Sequence, residues 1–261
     1  MRLATASASP RRRRLLAWAA AATAAAGLRV PAVAAAPARM CMVSYGVSPF
    51  GVIDDQGRSA GMSIELAEGL SREAGVEIAN VVVPYPRAVA MVASGEAELL
   101  FSLPNRALEK VALPIVPMFK GEIIVIGRPG TRYASLADLH GKLVGHIRGS
   151  EYGDAFQGDA AIRKYETISS KQTIQMLLEG RYDAAIGLRG SLFHAMRELK
   201  LPRDRLGAAL HVGDTEVWLY MSRRAHNAPL AESLARAATT LRGNGVVNAL
   251  QEKYFGGLPK D

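Results

Sequence analysis

Several short stretches of the sequence carry polar and charged side chains, most of them just after apolar runs. "GRYDAAIGLRG" spans residues 180–190, and its apolar run 184–186 opens into Gly187, Leu188, Arg189 and Gly190. Such a run reads as a buried strand ending in a glycine-bounded loop, where open α/β sheets meet ligands. "PNRALEK" follows the apolar "AELLFSL" and offers Asn105, Arg106 and Lys110, with Ser102 just before. Ser102 and Asn105 are hydrogen-bond donors, and the two cations suit an anion on a loop at a strand end. "GSEY" places Ser150 as the N-cap of a helix, Glu151 in its first turn and Tyr152 beside them. Backbone N–H groups at that helix start attract anions. Tyr85 is held between Pro84 and Pro86, and Arg87 opens the helix that follows. Each feature also has a plain account: a cap, a dipole partner, a core aromatic, a solvated charge. Phe50 and Trp218 read as core packing.

Other chemistries find no residues. The five histidines lack metal-ligand spacing, and no G-x-S-x-G or P-loop pattern occurs. Neither a metal nor a cofactor is expected.

The elements that must position these residues alternate along the chain. Strands read over 40–46, "VEIANVVVPY" and "AELLFSL", with helices over "SIELAEGLSREAG" and "PRAVAMVASG". "DDQG" is a tight turn between short strands. Ile64, Leu66, Ala67 and Leu70 share one helical face that Gly75 ends; Pro86 and Gly95 bracket the second helix. This β-α-β-α-β order implies a parallel sheet. A second series has strands in "GEIIVIGRPG", "KLVGHIRG", "YDAAIG" and "TEVWLYMSR". Its helices fall in "SLADLHG", "SEYGDAFQG", "TISSKQTIQMLLEG" (capped by Ser169 or Ser170), "SLFHAMRELK" and "PLAESLARAATTLRGNG", and "VVNALQEKYFGG" closes the chain. Two α/β units joined by two short extended crossings predict two lobes around a cleft.

The N-terminus belongs to neither unit. Four arginines, Arg11 to Arg14, precede an Ala-rich apolar stretch over 15–28, too short to span a bilayer, which takes about 20 residues. Small residues follow, with A-x-A sites ending at 34 and 38. Together these read as a secretory signal peptide over 1–34, directing the chain to the periplasm by the Sec or twin-arginine route. Residues 1–38 hold six of the 32 basic residues and no acid, so the remainder has 26 basic against 24 acidic residues. That balance calls for no nucleic acid. No later stretch is long enough to span a membrane, so no stable insertion is expected. The one cysteine, Cys41, allows no internal disulfide, and the domain must rely on its core. Residues 37–40 lack the apolar-then-small run of a lipidation site, so Cys41 reads as a buried thiol in the first strand.

Five motifs in one order then carry a resemblance. "SPFGVIDDQGRSAGMSIELAEGLSREAGV" is similar to P-F, D-x-x-G and G-F-x-x-D-L. "VPYPRAVAMVASGEAEL" is similar to an aromatic, Arg-containing segment before S-G-x-x-D. "SLADLHGKLVGHIRGSEY" is similar to L-x-D-L-x-G-K-x-V-G-x-x-x-G-T. "LLEGRYDAAIG" is similar to G-R-x-D-A, and "LRGNGVVNALQEKYFG" to G-x-x-x-x-I-x-x-K-Y/W-F-G. Over residues 40–257 the chain resembles the periplasmic solute-binding proteins of family 3, the amino-acid-type receptors of ATP-driven importers. The resemblance implies two α/β lobes, 39–118 plus 217–261 and 122–213, joined by two hinge strands and closing on a small-molecule solute. It also implies a membrane permease complex as partner and a monomer.

The resemblance assigns roles at the cleft. A first-lobe Arg grips a ligand carboxylate; counting without gaps places Lys110 there, with Arg106 four residues earlier as the alternative. Gly149 and Ser150 stand at the lobe 2 helix start that helps hold this anion, and Tyr85 stands at an aromatic platform. The ammonium side departs from the family. Leu188, followed by Arg189, occupies the position of the expected acid, and Ser44 or Tyr45 that of a first-lobe acid. A buried ammonium without a carboxylate costs several kcal/mol, so the ligand is expected not to be a standard α-amino acid. The cations Arg87, Arg106, Lys110 and Arg189 favour an organic acid or a modified amino acid. Two other readings share the fold: a dehydratase, with Glu151 as its acid, and a sensor docking on another membrane protein. A binding protein, not an enzyme, is the expectation.

Overall fold

Apolar runs alternating with amphipathic helices build a three-stranded parallel unit first. The computed structural model describes residues 39–54 and 56–256; the stretch read as a signal peptide lies outside the described residues. β1 (Arg39–Tyr45) runs parallel to β4 (Glu77–Val83) on one side and β5 (Leu99–Ser102) on the other. Between β1 and β4 come the hairpin β2 (Val52–Ile53) and β3 (Ser59–Ala60), then α1 (Met62–Ala74). Met62, Leu66 and Leu70 are buried on the inner face of α1, and Gly75 ends it in the left-handed region at φ 67°. α2 (Tyr85–Ser94) links β4 to β5 with a proline in its first turn and Gly95 as its left-handed stop.

The two crossings are longer than the short segments expected. β6 (Ala112–Gly127) has 16 residues and β10 (Leu210–Ser222) has 13, and they pair antiparallel over nearly their full length. Pro114 and Pro117 hide the first half of β6 in the sequence, because proline cannot donate to a ladder. The ladder absorbs them by shifting register beside each: Trp218 pairs with Pro117 and Tyr220 with Pro114.

The second unit hangs on the far part of β6. β7 (Leu143–Ile147) runs parallel to β8 (Arg163–Thr167) and β9 (Ala184–Leu188), and β9 pairs antiparallel with β6. The sheet order β4-β1-β5-β10-β6-β9-β7-β8 makes one eight-stranded sheet whose middle is the β6–β10 pair. β8 has no counterpart in the sequence reading: its "RKYET" is mostly exposed and has little apolar pattern.

α3 (Arg106–Glu109) is one helical turn where a loop was expected. α4 (Asp154–Gly158) starts three residues later than "GSEY" suggested, and its N-cap is Gly153. Ser150 is therefore not a cap and Glu151 is not in a first turn. α5 (Ser170–Leu178), α6 (Arg189–Glu198), α7 (Ala228–Gly243) and α8 (Val246–Phe255) agree with the periodicity. Ser169, not Ser170, caps α5, accepting from the Gln172 N–H at 3.1 Å. Phe50 is buried in the main core and Trp218 packs against it half-buried, while Ile124, Ile174, Leu177, Leu192 and Phe193 form a second cluster under α5 and α6. Cys41 lies in β1 but is only half-buried.

His146 in β7 is 6% exposed and contacts the Ile147 carbonyl through Nδ1 at 3.1 Å. Burial, foremost, holds its pKa below the ordinary 6.5. As pH falls below 6.5 the unfolded chain takes a proton that the folded chain refuses, so stability is lost in that direction. Urea unfolding should therefore give lower stability at pH ~5 than at pH ~7, with His146→Gln reducing that difference.

Candidate functional site

The C-terminal ends of β1 and β5 in one half face the ends of β7 and β9 in the other, as expected for ligand sites in open sheets. Between them lies an enclosed cavity of about 20 Å³, room for one water. Tyr45, Leu103, Ile147, Ser150, Tyr152 and Leu188 are among its walls, and no charged side chain lines it. Burial, foremost, pushes the Tyr45 hydroxyl far above its ordinary value and the Tyr152 hydroxyl up to about 12. Both are neutral groups at physiological pH. Leu188 is 8% exposed, its side chain lying where a Cβ on Gly121 would stand at 3.0 Å. It fills the end of β9 with hydrocarbon.

Tyr85 stands edge-on to Tyr45, with ring centroids 5.5 Å apart. Its other side presses on Gly149, where a Cβ would lie 2.6 Å from the ring and φ is +76°. Position 149 thus needs glycine for two reasons, backbone conformation and space. Burial, foremost, pushes the Tyr85 hydroxyl up to about 12, with Ser102 beside it pulling slightly the other way. Ser102 is itself buried at the end of β5.

Asn105 joins the two halves. Its Oδ1 accepts from the N–H groups of Ala107 and Leu108, capping α3, while its Nδ2 donates to the Gly149 carbonyl at 2.7 Å. One side chain thereby starts a helix on one side and holds a loop on the other. Arg106 follows it outward, pairing with the Asp154 carboxylate, and its N–H donates to Glu151 at 3.3 Å. These three residues line a neighbouring open pocket of about 360 Å³ rather than the enclosed cavity.

The remaining candidates lie elsewhere. Arg189 binds Glu122 at 2.6 Å, packs near the Phe193 ring and lines a third pocket of about 380 Å³ with Phe119 and Phe255. Arg87 and Lys110 are exposed and line none of these cavities. The structure thus brings together Tyr45, Tyr85, Ser150 and Tyr152, but spreads the cations around the rim. Leu103, Ile147, Ser170 and Ser191 also line the enclosed cavity. Ser170 had only its place beside a helix cap as a signal, and the apolar pair had none beyond their strand ends. Among the described residues no group of acidic, His or Cys side chains could hold a metal, and no helix is long and apolar enough to cross a membrane.

Further bonds cross between the halves. Ser48 donates to Glu198 at 2.9 Å. Arg197 in α6 donates to the Gly256 carbonyl at 2.9 Å, and His194 meets the Tyr254 carbonyl at 3.0 Å, both at the C-terminal end of α8. A cation there also suits the helix dipole.

Comparison with known proteins gives this geometry a context. A sequence profile of the bacterial extracellular solute-binding proteins, family 3, matches residues 40–257. A probable amino-acid-binding protein, YxeM of Bacillus subtilis (strain 168), is 22% identical over 209 residues, covering 77% of this chain and 78% of its own. An ancestral arginine-binding protein bound to arginine superposes with TM-score 0.71 at 20% identity, over 84% of this chain and 98% of the other. A histidine kinase sensor domain with similarity to periplasmic binding proteins superposes with TM-score 0.72 at 18% identity, over 85% and 99%.

The double duty of Asn105 can be separated by substitution. Asn105→Asp keeps the cap but sets a carboxylate against the Gly149 carbonyl, so small-angle scattering should give a larger radius than the parent, with the thermal midpoint little changed. Asn105→Ala loses the cap as well and should cost about 1 kcal/mol more in unfolding.

Proposed function

Because the chain belongs to the bacterial extracellular solute-binding proteins, family 3, we propose that it is a periplasmic receptor for a small polar or anionic solute that is not a standard α-amino acid. In this reading residues 39–118 plus 217–261 and residues 122–213 are the lobes, β6 and β10 are the hinge, and closure buries the solute. The closed face presents it to the permease of an ABC-type importer. Residues 1–34 direct export and are removed.

The observation that carries the choice of ligand is the neutral wall. No carboxylate lines the enclosed cavity, and Leu188 closes the end of β9. An α-ammonium sealed there would lose its water and gain no counter-charge. Arg106 and Arg189 each already face an acid, so they stand near the mouth of the cleft as guides for an anion rather than as an inner clamp. Glu151, the acid a dehydratase would need, lines the open pocket instead.

A sensor role is the second reading. It is favoured by the superposition on a histidine kinase sensor domain.

Titration calorimetry of the exported form against standard amino acids and against organic acids tests the first reading. Binding of an organic acid, with ordinary amino acids at least tenfold weaker, is the expected result; tight binding of an ordinary amino acid overturns it. Leu188→Asp should then shift preference toward α-amino acids. No shift in a folded variant would contradict the position assigned to Leu188.

A further inference from the structure

Two hydroxyls of the enclosed cavity have no partner although they are almost fully buried. Ser170 is 1% exposed and Ser191 4%, both line the cavity, and neither Oγ makes a hydrogen bond. Buried hydroxyls are normally paired, because desolvation without a hydrogen bond costs stability. Here two unpaired hydroxyls share one small space.

Their places in the fold add a direction. Ser170 is the first residue of α5, a helix of nine residues, and has no capping duty because Ser169 performs it. Ser191 is in the first turn of α6, a helix of ten residues that starts from extended Leu188 with no side-chain cap. The first N–H groups of a helix have no acceptor within it, and the aligned peptide dipoles place partial positive charge there. Two helix starts and two free O–H donors therefore meet in a cavity without a formal charge. That set suits an anionic oxygen and offers nothing to an ammonium.

We propose that Ser170 and Ser191, with the start of α6, form a subsite for a carboxylate of the bound solute, on the side of the cleft where Leu188 closes β9. The subsite rests on the receptor reading above. The cavity of about 20 Å³ holds one water, so a bound carboxylate keeps the halves wider apart at this point, and the hydroxyls donate to it in that wider arrangement. Leu188 keeps water from the pair and so strengthens the hydrogen bonds.

Calorimetry with acetate, succinate, glutarate and 2-oxoglutarate as probes, on the parent, Ser170→Ala, Ser191→Ala and Ser191→Asp, tests the subsite. At least one probe should bind the parent. Each alanine variant should bind that probe about tenfold more weakly, and Ser191→Asp should not bind it. The ligand-free thermal midpoint of the alanine variants should stay level or rise, since an unpaired hydroxyl has been removed; a purely structural serine would lower the midpoint and leave affinity unchanged. If a probe binds the parent and both alanine variants equally, the subsite is overturned and the receptor reading stands. If no probe binds the parent and an ordinary amino acid does, both are overturned.

Discussion

The antiparallel ladder between β6 and β10 is the constraint on which the molecule depends. It lies at the centre of the sheet, with β5 bonded to one flank and β9 to the other. The loops that end the two parallel sets face each other because this pair holds both sets in a fixed register. Long antiparallel strands can twist without breaking hydrogen bonds, and register shifts beside Pro114 and Pro117 loosen the ladder locally. Such a pair joins the two parallel sets within one sheet.

The cleft built on that pair separates charge from burial. Its inner wall is hydroxyl and hydrocarbon, with Tyr45, Ser150, Tyr152 and Leu188 meeting around a water-sized space. Its charges sit outside, where Arg106 meets Asp154 and Arg189 meets Glu122. The Arg106–Asp154 pair is exposed, and such pairs contribute little to stability, typically up to about 1 kcal/mol, whereas the Arg189 side chain is mostly buried beside Glu122. Inside, the polar side chains are the neutral hydroxyls of Tyr45, Ser150, Tyr152, Ser170 and Ser191.

Much of this order is legible in the sequence. Helical periodicity stopped by Gly75 and Gly95 marks α1 and α2, and the run ending in Gly187 and Leu188 marks β9. Leu188 at its end is buried hydrocarbon. Other parts were hidden for identifiable reasons. Prolines disguise the first half of β6, and β8 is too exposed to show a pattern. Gly153 moves the start of α4, so Ser150 and Glu151 lose the roles that spacing suggests. Ser170 and Ser191 look like ordinary helix-start residues, because whether a hydroxyl has a partner depends on tertiary packing. Four cations near the cleft in sequence do not converge in space: two are paired at the rim and two are exposed.

In the proposed receptor, solute seats between the ends of β1, β5, β7 and β9 rather than in the larger open pocket beside Phe119 and Phe255. Hydrogen–deuterium exchange, with and without a saturating organic acid, tests it most directly. Added protection over residues 45–50, 103–108, 149–153 and 187–192 together is the expected result. Protection confined to residues 119–122 and 251–255 would contradict it.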